Sequence, residues 1–298
     1  MKKFLYRQLL KSSSFFEFMA RKTSGAAYKL FPTRKVTIAS CEAENWKFVR
    51  PCFVLSTGRS GTLLLTKLLE LSPQCAVAHS PRPELIRASK LAYEKVQSDP
   101  EMLREIFKSA REEMLLDALV HDQTFIETNN RITFFAPIIR EVFPNAVFIH
   151  LVRHPGDFVR SGIRRQWYSE QHDHDVGRIV PTQGELKEKW EKLSQIEKIG
   201  WLWNETNQFI ENVREATPEK DFLFVKAEDL FTDALVTQSI FSFLQISAPS
   251  LKTIQKNLRP TNVQKKGDYP KYVDWPDRDK ELLHTIAPLM KKYGYLQK

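Results

Sequence analysis

The chain has 298 residues, 42% of them hydrophobic, and a formal net charge of +9. That length suffices for one large α/β core or two small ones. The charge is lopsided: residues 1–35 hold nine Lys/Arg against the single acid Glu17, leaving +1 for residues 36–298, which excludes a body built as a broad basic nucleic-acid surface.

Residues 1–45 read as a basic N-terminal extension and 46–298 as a single domain, because no Gly/Ser tract, repeat or low-complexity block marks a linker. No run approaches the roughly 18 apolar residues of a membrane span. The N-terminus also lacks a continuous apolar stretch and a small-residue cleavage site, so a secretory leader is not expected and the chain is assigned to the cytoplasm. Phe4, Leu5, Leu9, Leu10, Phe15, Phe16 and Phe18 among those cations leave two readings open. One is peripheral contact with an anionic membrane surface; the other is a helix packed on the body, or a frayed arm. Cys41, Cys52 and Cys75 are odd in number and at no ligand spacing, which fits a reduced compartment and neither a disulfide framework nor a zinc site.

Val36–Ile38 reads as a short strand. Cys52–Leu55 is apolar and partly β-branched, as a buried strand requires. Ser56-Thr57-Gly58-Arg59-Ser60-Gly61-Thr62 then breaks the pattern, and Leu64, Leu65, Leu68 and Leu69 follow at helical spacing. Strand, Gly-containing turn and helix start make an anion-binding device: glycine lets the backbone curl, and the first helical turn aims unpaired N–H groups at one spot. Arg59 adds a permanent forked cation. The plainer reading is an ordinary βα turn with a polar cap. Gln74–His79 reads as a second buried strand stopped by Pro81 and Pro83. Leu85–Val96 and Met102–Leu119 read as amphipathic helices, Thr124–Glu127 as a strand, and Asn129-Asn130 as the cap of a helix running from Ile132 to about Phe143.

Ala146–Val152 opens a second strand–turn–helix, IHLVRHPGDFVRS, with Arg153 at the strand's end and Ser161 two turns into the helix. Strands alternating with helices predict an α/β fold with a central parallel sheet flanked by helices. Ligands of such sheets sit beyond the strands' carboxyl ends, which gathers Arg59, His79, Glu127, Asn129 and Arg153 on one rim. Trp167–Pro181 is expected to be a surface loop facing an acceptor. Its His172, Asp173, His174 and Asp175 lack the enforced geometry of a metal site. A long helix is expected over Leu186, Trp190, Leu193 and Ile196. Phe222–Val225 should be a late strand and Asp277–Tyr293 a closing helix.

These two signatures resemble those of the PAPS-dependent sulfotransferases. The first is a strand followed by [Lys/Arg]-Ser-Gly-Thr, here Arg59-Ser60-Gly61-Thr62; the second is an Arg with a Ser eight positions on, here Arg153 and Ser161. The loop most resembles that of the tyrosylprotein and carbohydrate branch. The resemblance implies a P-loop NTPase-like sulfotransferase fold, no metal, and transfer of a sulfuryl group from PAPS to a hydroxyl with release of PAP. It assigns Arg59, Ser60, Gly61, Thr62 and Leu63 to the 5′-phosphosulfate and Arg153 and Ser161 to the 3′-phosphate. Lys265, Lys266 and Gly267, in Gln264–Tyr269, resemble the basic tail segment that closes over that phosphate. Glu228-Asp229-Leu230 resembles the Glu-Asp-Leu after a core strand. Asn129 stands where cytosolic members have a basic His, so His79 becomes the leading general base, with Glu127 second and Glu84 third. Leu64 stands where those members place an aromatic against adenine. Arg59 and Asn129 tilt the acceptor towards carbohydrate or lipid-linked hydroxyls, contacted by Glu84, Asn129, His172 and His174. The competing classes are a P-loop phosphotransferase, which the missing Gly-Lys-[Ser/Thr] disfavours, and a non-catalytic PAP or nucleotide binder. Oligomeric state is not legible.

Overall fold

Five short apolar runs pair into one parallel sheet. They are β1 (Cys52–Leu55), β2 (Cys75–Ala78), β3 (Thr124–Glu127), β4 (Val147–Val152) and β5 (Phe222–Lys226), in the order β2-β3-β1-β4-β5. The computed structural model describes residues 36–169, 175–259 and 268–296. Within it Ile38–Lys298 form one compact unit, a single α/β domain.

Around the sheet run α1 (Ile38–Ala43), α2 (Thr62–Leu69), α3 (Ile86–Lys95), α4 (Pro100–Val120), α5 (Ala136–Val142) and α6 (Pro155–Ile163). Then come α7 (Gly184–Lys189), α8 (Gln195–Glu215), α9 (Ala227–Thr232), α10 (Ala234–Leu244), α11 (Leu251–Asn257), α12 (Asp277–Ile286) and α13 (Leu289–Lys292). The central strands β1 and β4 are buried at every position, so they are apolar on both faces rather than alternating. Alternate side chains still serve different layers. Cys52 and Val54 pack with Leu64, Leu65 and Leu68 of α2 and with Ile240 and Phe241 of α10. Phe53 points the other way, its ring 5.9 Å from Phe107 of α4, which stacks on Phe135 at 6.1 Å. Burying each such side chain stabilises the fold by roughly 1.5–3 kcal/mol. The register Leu55↔His150 brings the carboxyl ends of β1 and β4 level.

Several expectations change. No strand forms at Val36–Ile38; Ile38 instead opens α1, which buries Cys41. The helix expected after Asn129 starts as a 3-10 segment, Asn130–Phe135, before α5. The long helix expected over Leu186–Ile196 is broken. α7 ends at Lys189, and α8 restarts at a capping box in which Ser194 and Glu197 satisfy each other's backbone N–H groups. That box outweighs the apolar stripe because it satisfies donors that a helix start otherwise leaves unpaired. The basic segment 1–35, with its membrane reading, lies outside the described residues, as do His172, His174, Lys265, Lys266 and Gly267. No helix among the described residues is long and apolar enough to cross a membrane.

Candidate active site

The loop after β1 is pinned at its entry and bent sharply beyond it. Ser56 N donates to Thr133 Oγ1, which donates back to Ser56 O, both at 3.0 Å. Gly58, Arg59 and Gly61 take φ of 77°, 57° and 92°. Glycine is required at two of these places. A Cβ on Gly58 would lie 3.0 Å from Asn130 Cγ, and one on Gly61 would lie 2.5 Å from the Phe231 ring. Arg59 has no such licence, and a left-handed residue with a side chain costs of order 1–3 kcal/mol. Gly61 is the N-cap of α2 and no side chain caps that helix. Its first-turn N–H groups therefore face the loop's hollow, with the positive end of the helix dipole behind them. Ser60 Oγ is buried there without a hydrogen-bond partner.

Cations converge on the same hollow from the β4 side. Arg153, just past β4, donates from Nη1 to Arg59 O at 3.0 Å and from Nη2 to Asp157 at 3.1 Å. Its buried Nε has no partner. Arg59 Nε lies 3.3 Å from Ser161 Oγ, and Arg165 Nη1 donates to that same oxygen at 2.8 Å. Two guanidinium groups thus meet at one hydroxyl, and a third, that of Arg153, holds the loop backbone at Arg59 O. Burial, then the Arg153 charge, pulls Arg59 below the ordinary guanidinium value. Burial and the charges of Arg59, Arg164 and Arg153 pull Arg165 down to about 10. Cations held close together against their mutual repulsion are what a multiply charged anion relieves. Arg165 escaped the sequence reading, although it stands four residues after Ser161.

On the other side of β1, His79 ends a chain of hydroxyls. Thr66 Oγ1 donates to Thr62 O at 2.8 Å and lies 2.7 Å from Thr128 Oγ1, which lies 2.9 Å from His79 Nδ1. Proton counting sets every direction. Thr62 O only accepts, so the Thr66 proton is spent on it; Thr128 must then donate to Thr66, and His79 Nδ1–H to Thr128. Neutral His79 is held as the Nδ1–H tautomer, with the Nε2 lone pair left available. Burial, partly offset by Glu70 and Glu84, keeps its pKa below the ordinary imidazole value. It is therefore neutral at pH 7, as a base must be. Thr66 and Thr128 were also missed. Neither carries a sequence signal, because their roles depend on β3 and α2 meeting.

The sequence profile described as the Sulfotransferase family matches residues 51–249. The chain belongs to the sulfotransferase family. A sulfotransferase from Mycobacterium avium superposes with a TM-score of 0.51 at 14% identity, over 92% of this chain and 81% of that one, a likeness of fold alone. A sulfotransferase from Alicyclobacillus acidocaldarius is 17% identical over 83% of this chain and 95% of its own, with a TM-score of 0.49. The sulfotransferase domain from the curacin biosynthetic pathway is 14% identical over 85% of this chain and 100% of its own, also at 0.49. No curated protein sequence matches at a significant level.

In this sulfotransferase two of the expected site residues turn inward. Glu127 is 0% exposed and is gripped by Arg111 of α4, through Nε at 2.7 Å and Nη2 at 2.9 Å. Burial pushes its carboxyl up and the Arg111 fork pulls it back, but a sealed, doubly bonded carboxylate cannot meet a substrate proton. It is not the base. Asn129 is 1% exposed; its Oδ1 accepts from Arg131 N and its Nδ2 donates to Glu84 O. It caps the 3-10 segment that follows. Thr62 is buried, and Leu63 and Glu84 are half-buried. Glu228 joins two elements, its Oε1 accepting from His154 N and its Oε2 from Tyr295 OH, each at 2.9 Å. Past the segment outside the described residues, Tyr269 O accepts from Arg160 Nε at 2.8 Å, which sets the chain beyond Gly267 against α6.

Proposed function

We propose that the chain transfers the sulfuryl group of PAPS to a hydroxyl acceptor, carbohydrate or lipid-linked, and releases PAP. The observation that carries this reading is the meeting of Arg59 and Arg165 at Ser161, with Arg153 bonded to Arg59 O, beside the uncapped N-terminus of α2 and the orphaned Ser60 Oγ. PAPS supplies an activated sulfuryl group on a phosphate leaving group, with a second phosphate on its ribose. Arg59 and the N–H groups of Ser60, Gly61 and Thr62 would neutralise the charge that grows on the 5′-phosphate as its oxygen–sulfur bond breaks. Arg153, Arg165 and Ser161 would hold the 3′-phosphate, and Phe231 at the loop offers an apolar face that Leu64 does not. His79 Nε2 would take the proton of the hydroxyl that forms the new sulfur–oxygen bond. Arginine keeps its proton, so Arg59 acts as a clamp and not as an acid.

The test compares PAP with adenosine 5′-phosphosulfate, which lacks the 3′-phosphate. A charge-assisted hydrogen bond contributes roughly 1.5–3 kcal/mol, so Arg165→Gln should weaken PAP by about tenfold or more and leave adenosine 5′-phosphosulfate nearly unchanged. Equal losses would remove the 3′-phosphate assignment. In an acceptor screen with labelled PAPS, Arg59→Ala should lower turnover by about two orders of magnitude, and Arg59→Lys should recover part of it. A chain that binds PAP yet transfers sulfate to no hydroxyl would be a nucleotide binder instead.

A further inference from the structure

The order β2-β3-β1-β4-β5 divides the rim in two. The anion grip of Arg153, Ser161 and Arg165 belongs to the β4 side, whereas His79 and the segment after β3 stand on the other. On that second side a cavity of about 30 Å³ opens beside the loop entry, lined by Ser56, Thr57, Asn130, Arg131 and Arg178 among others. Such a volume admits a water or a group of carboxylate size and not a sugar ring. Asn130 ties it to the loop, since its side chain lies against Gly58.

The two arginines of this cavity are not equivalent. Arg178 is ion-paired with Asp175 and lies over the Trp167 ring at 4.1 Å, so its charge is met. Arg131 has no carboxylate of the described residues within salt-bridge distance. The partner of its guanidinium among the described residues is the Gly177 carbonyl, at a long 3.4 Å from Nη1. A guanidinium offers five donors, so a half-buried, forked cation lines the cavity with most of its capacity unspent. Burial, then the Arg178 charge, lowers its pKa, and Glu84, Tyr168 and Asp175 work in the opposite direction. The link to the base is geometric: Thr128 bonds His79 Nδ1, and the next residue, Asn129, accepts from Arg131 N and donates to Glu84 O, so base and fork hang on neighbouring residues after β3.

Resting on the sulfotransferase reading above, we infer that the acceptor is acidic: a carboxylate-sized anion on it seats against Arg131, and its hydroxyl is presented to His79. A planar, forked cation suits a carboxylate in a way that a lysine would not. Among carbohydrates this selects uronic-acid-type acceptors over neutral sugars.

Methyl β-D-glucuronide and methyl β-D-glucoside, matched except for the carboxylate, provide the test at equal ionic strength. In thermal shift with the full chain and saturating PAP, the glucuronide should raise the melting temperature at concentrations where the glucoside does not. Arg131→Gln should abolish that difference and Arg131→Lys restore only part of it, while the shift given by PAP stays as in the wild type. In turnover the glucuronide should be favoured by about tenfold or more in kcat/KM. Equal shifts for the two sugars, or a preference that survives Arg131→Gln, would overturn the inference. Failure of PAP itself to shift the protein would instead count against the donor site, and the sugar pair compared without PAP would still decide the role of Arg131.

Discussion

Thr128→Val isolates the device that orients the base. The substitution keeps the volume of a fully buried side chain and deletes the oxygen that accepts from His79 Nδ1 at 2.9 Å and donates to Thr66 at 2.7 Å. Thr66 keeps its bond to Thr62 O, so the start of α2 is spared. A net hydrogen bond contributes about 0.5–1.5 kcal/mol, and 1.36 kcal/mol is tenfold in rate. Turnover should therefore fall about two- to tenfold, with PAPS binding unchanged. Protonated His79 donates more strongly to Thr128 than the neutral ring does, so losing this bond should lower the His79 pKa by up to about one unit. The acidic limb of the rate profile should move down accordingly. Nitrogen-15 NMR of labelled histidine checks the cause without any acceptor: His79 should be the Nδ1–H tautomer in the wild type and a mixture in Thr128→Val. Thr128→Ser should restore tautomer and rate, and the loss should vanish in a His79→Ala background because the two act as one unit. An Nε2–H tautomer in the wild type, or an undiminished Thr128→Val defect without His79, would refute the relay.

Two further outcomes concern stability. Glu127→Gln leaves Arg111 buried with no opposing charge, so melting should report a loss of about 3–5 kcal/mol, whereas the acidic limb of the rate profile should survive; a lost limb in folded protein would return Glu127 to the role of base. His150 is buried, bonded through Nε2 to Asn207 Oδ1 at 2.8 Å, and its pKa is depressed to about 4, chiefly by burial. The unfolded chain binds that proton near the ordinary 6.5, so stability should be full above that pH. It should fall by at most about 3 kcal/mol as pH drops towards 4. Urea midpoints across that window should flatten in His150→Gln, and an unchanged slope would show that other groups carry the pH dependence.

Much of the architecture was legible because its signals are local. The apolar runs at Cys52, Thr124, Ala146 and Phe222 are short, bounded by turn residues and rich in β-branched or aromatic side chains, and the leucines after Thr62 recur with the helical period, so the parallel sheet followed from the alternation of the two patterns. The two strand–turn–helix starts, at Gly58–Thr62 and His154–Ser161, were legible for a related reason: a turn that must curl and a helix that must start are written in adjacent residues. What tertiary structure alone decided was the fate of polar residues near a strand's end. Glu127 and His79 both close strands beside one another, and nothing local separates them. Arg111, sixteen residues earlier on α4, reaches under the sheet and seals the first, while Thr66 and Thr128 meet across α2 and β3 to orient the second. Arg165 and Arg131 likewise acquire meaning only from partners far along the chain. Desolvation and charge pairing depend on what lies within a few ångströms in space, and the sequence alone does not carry that information.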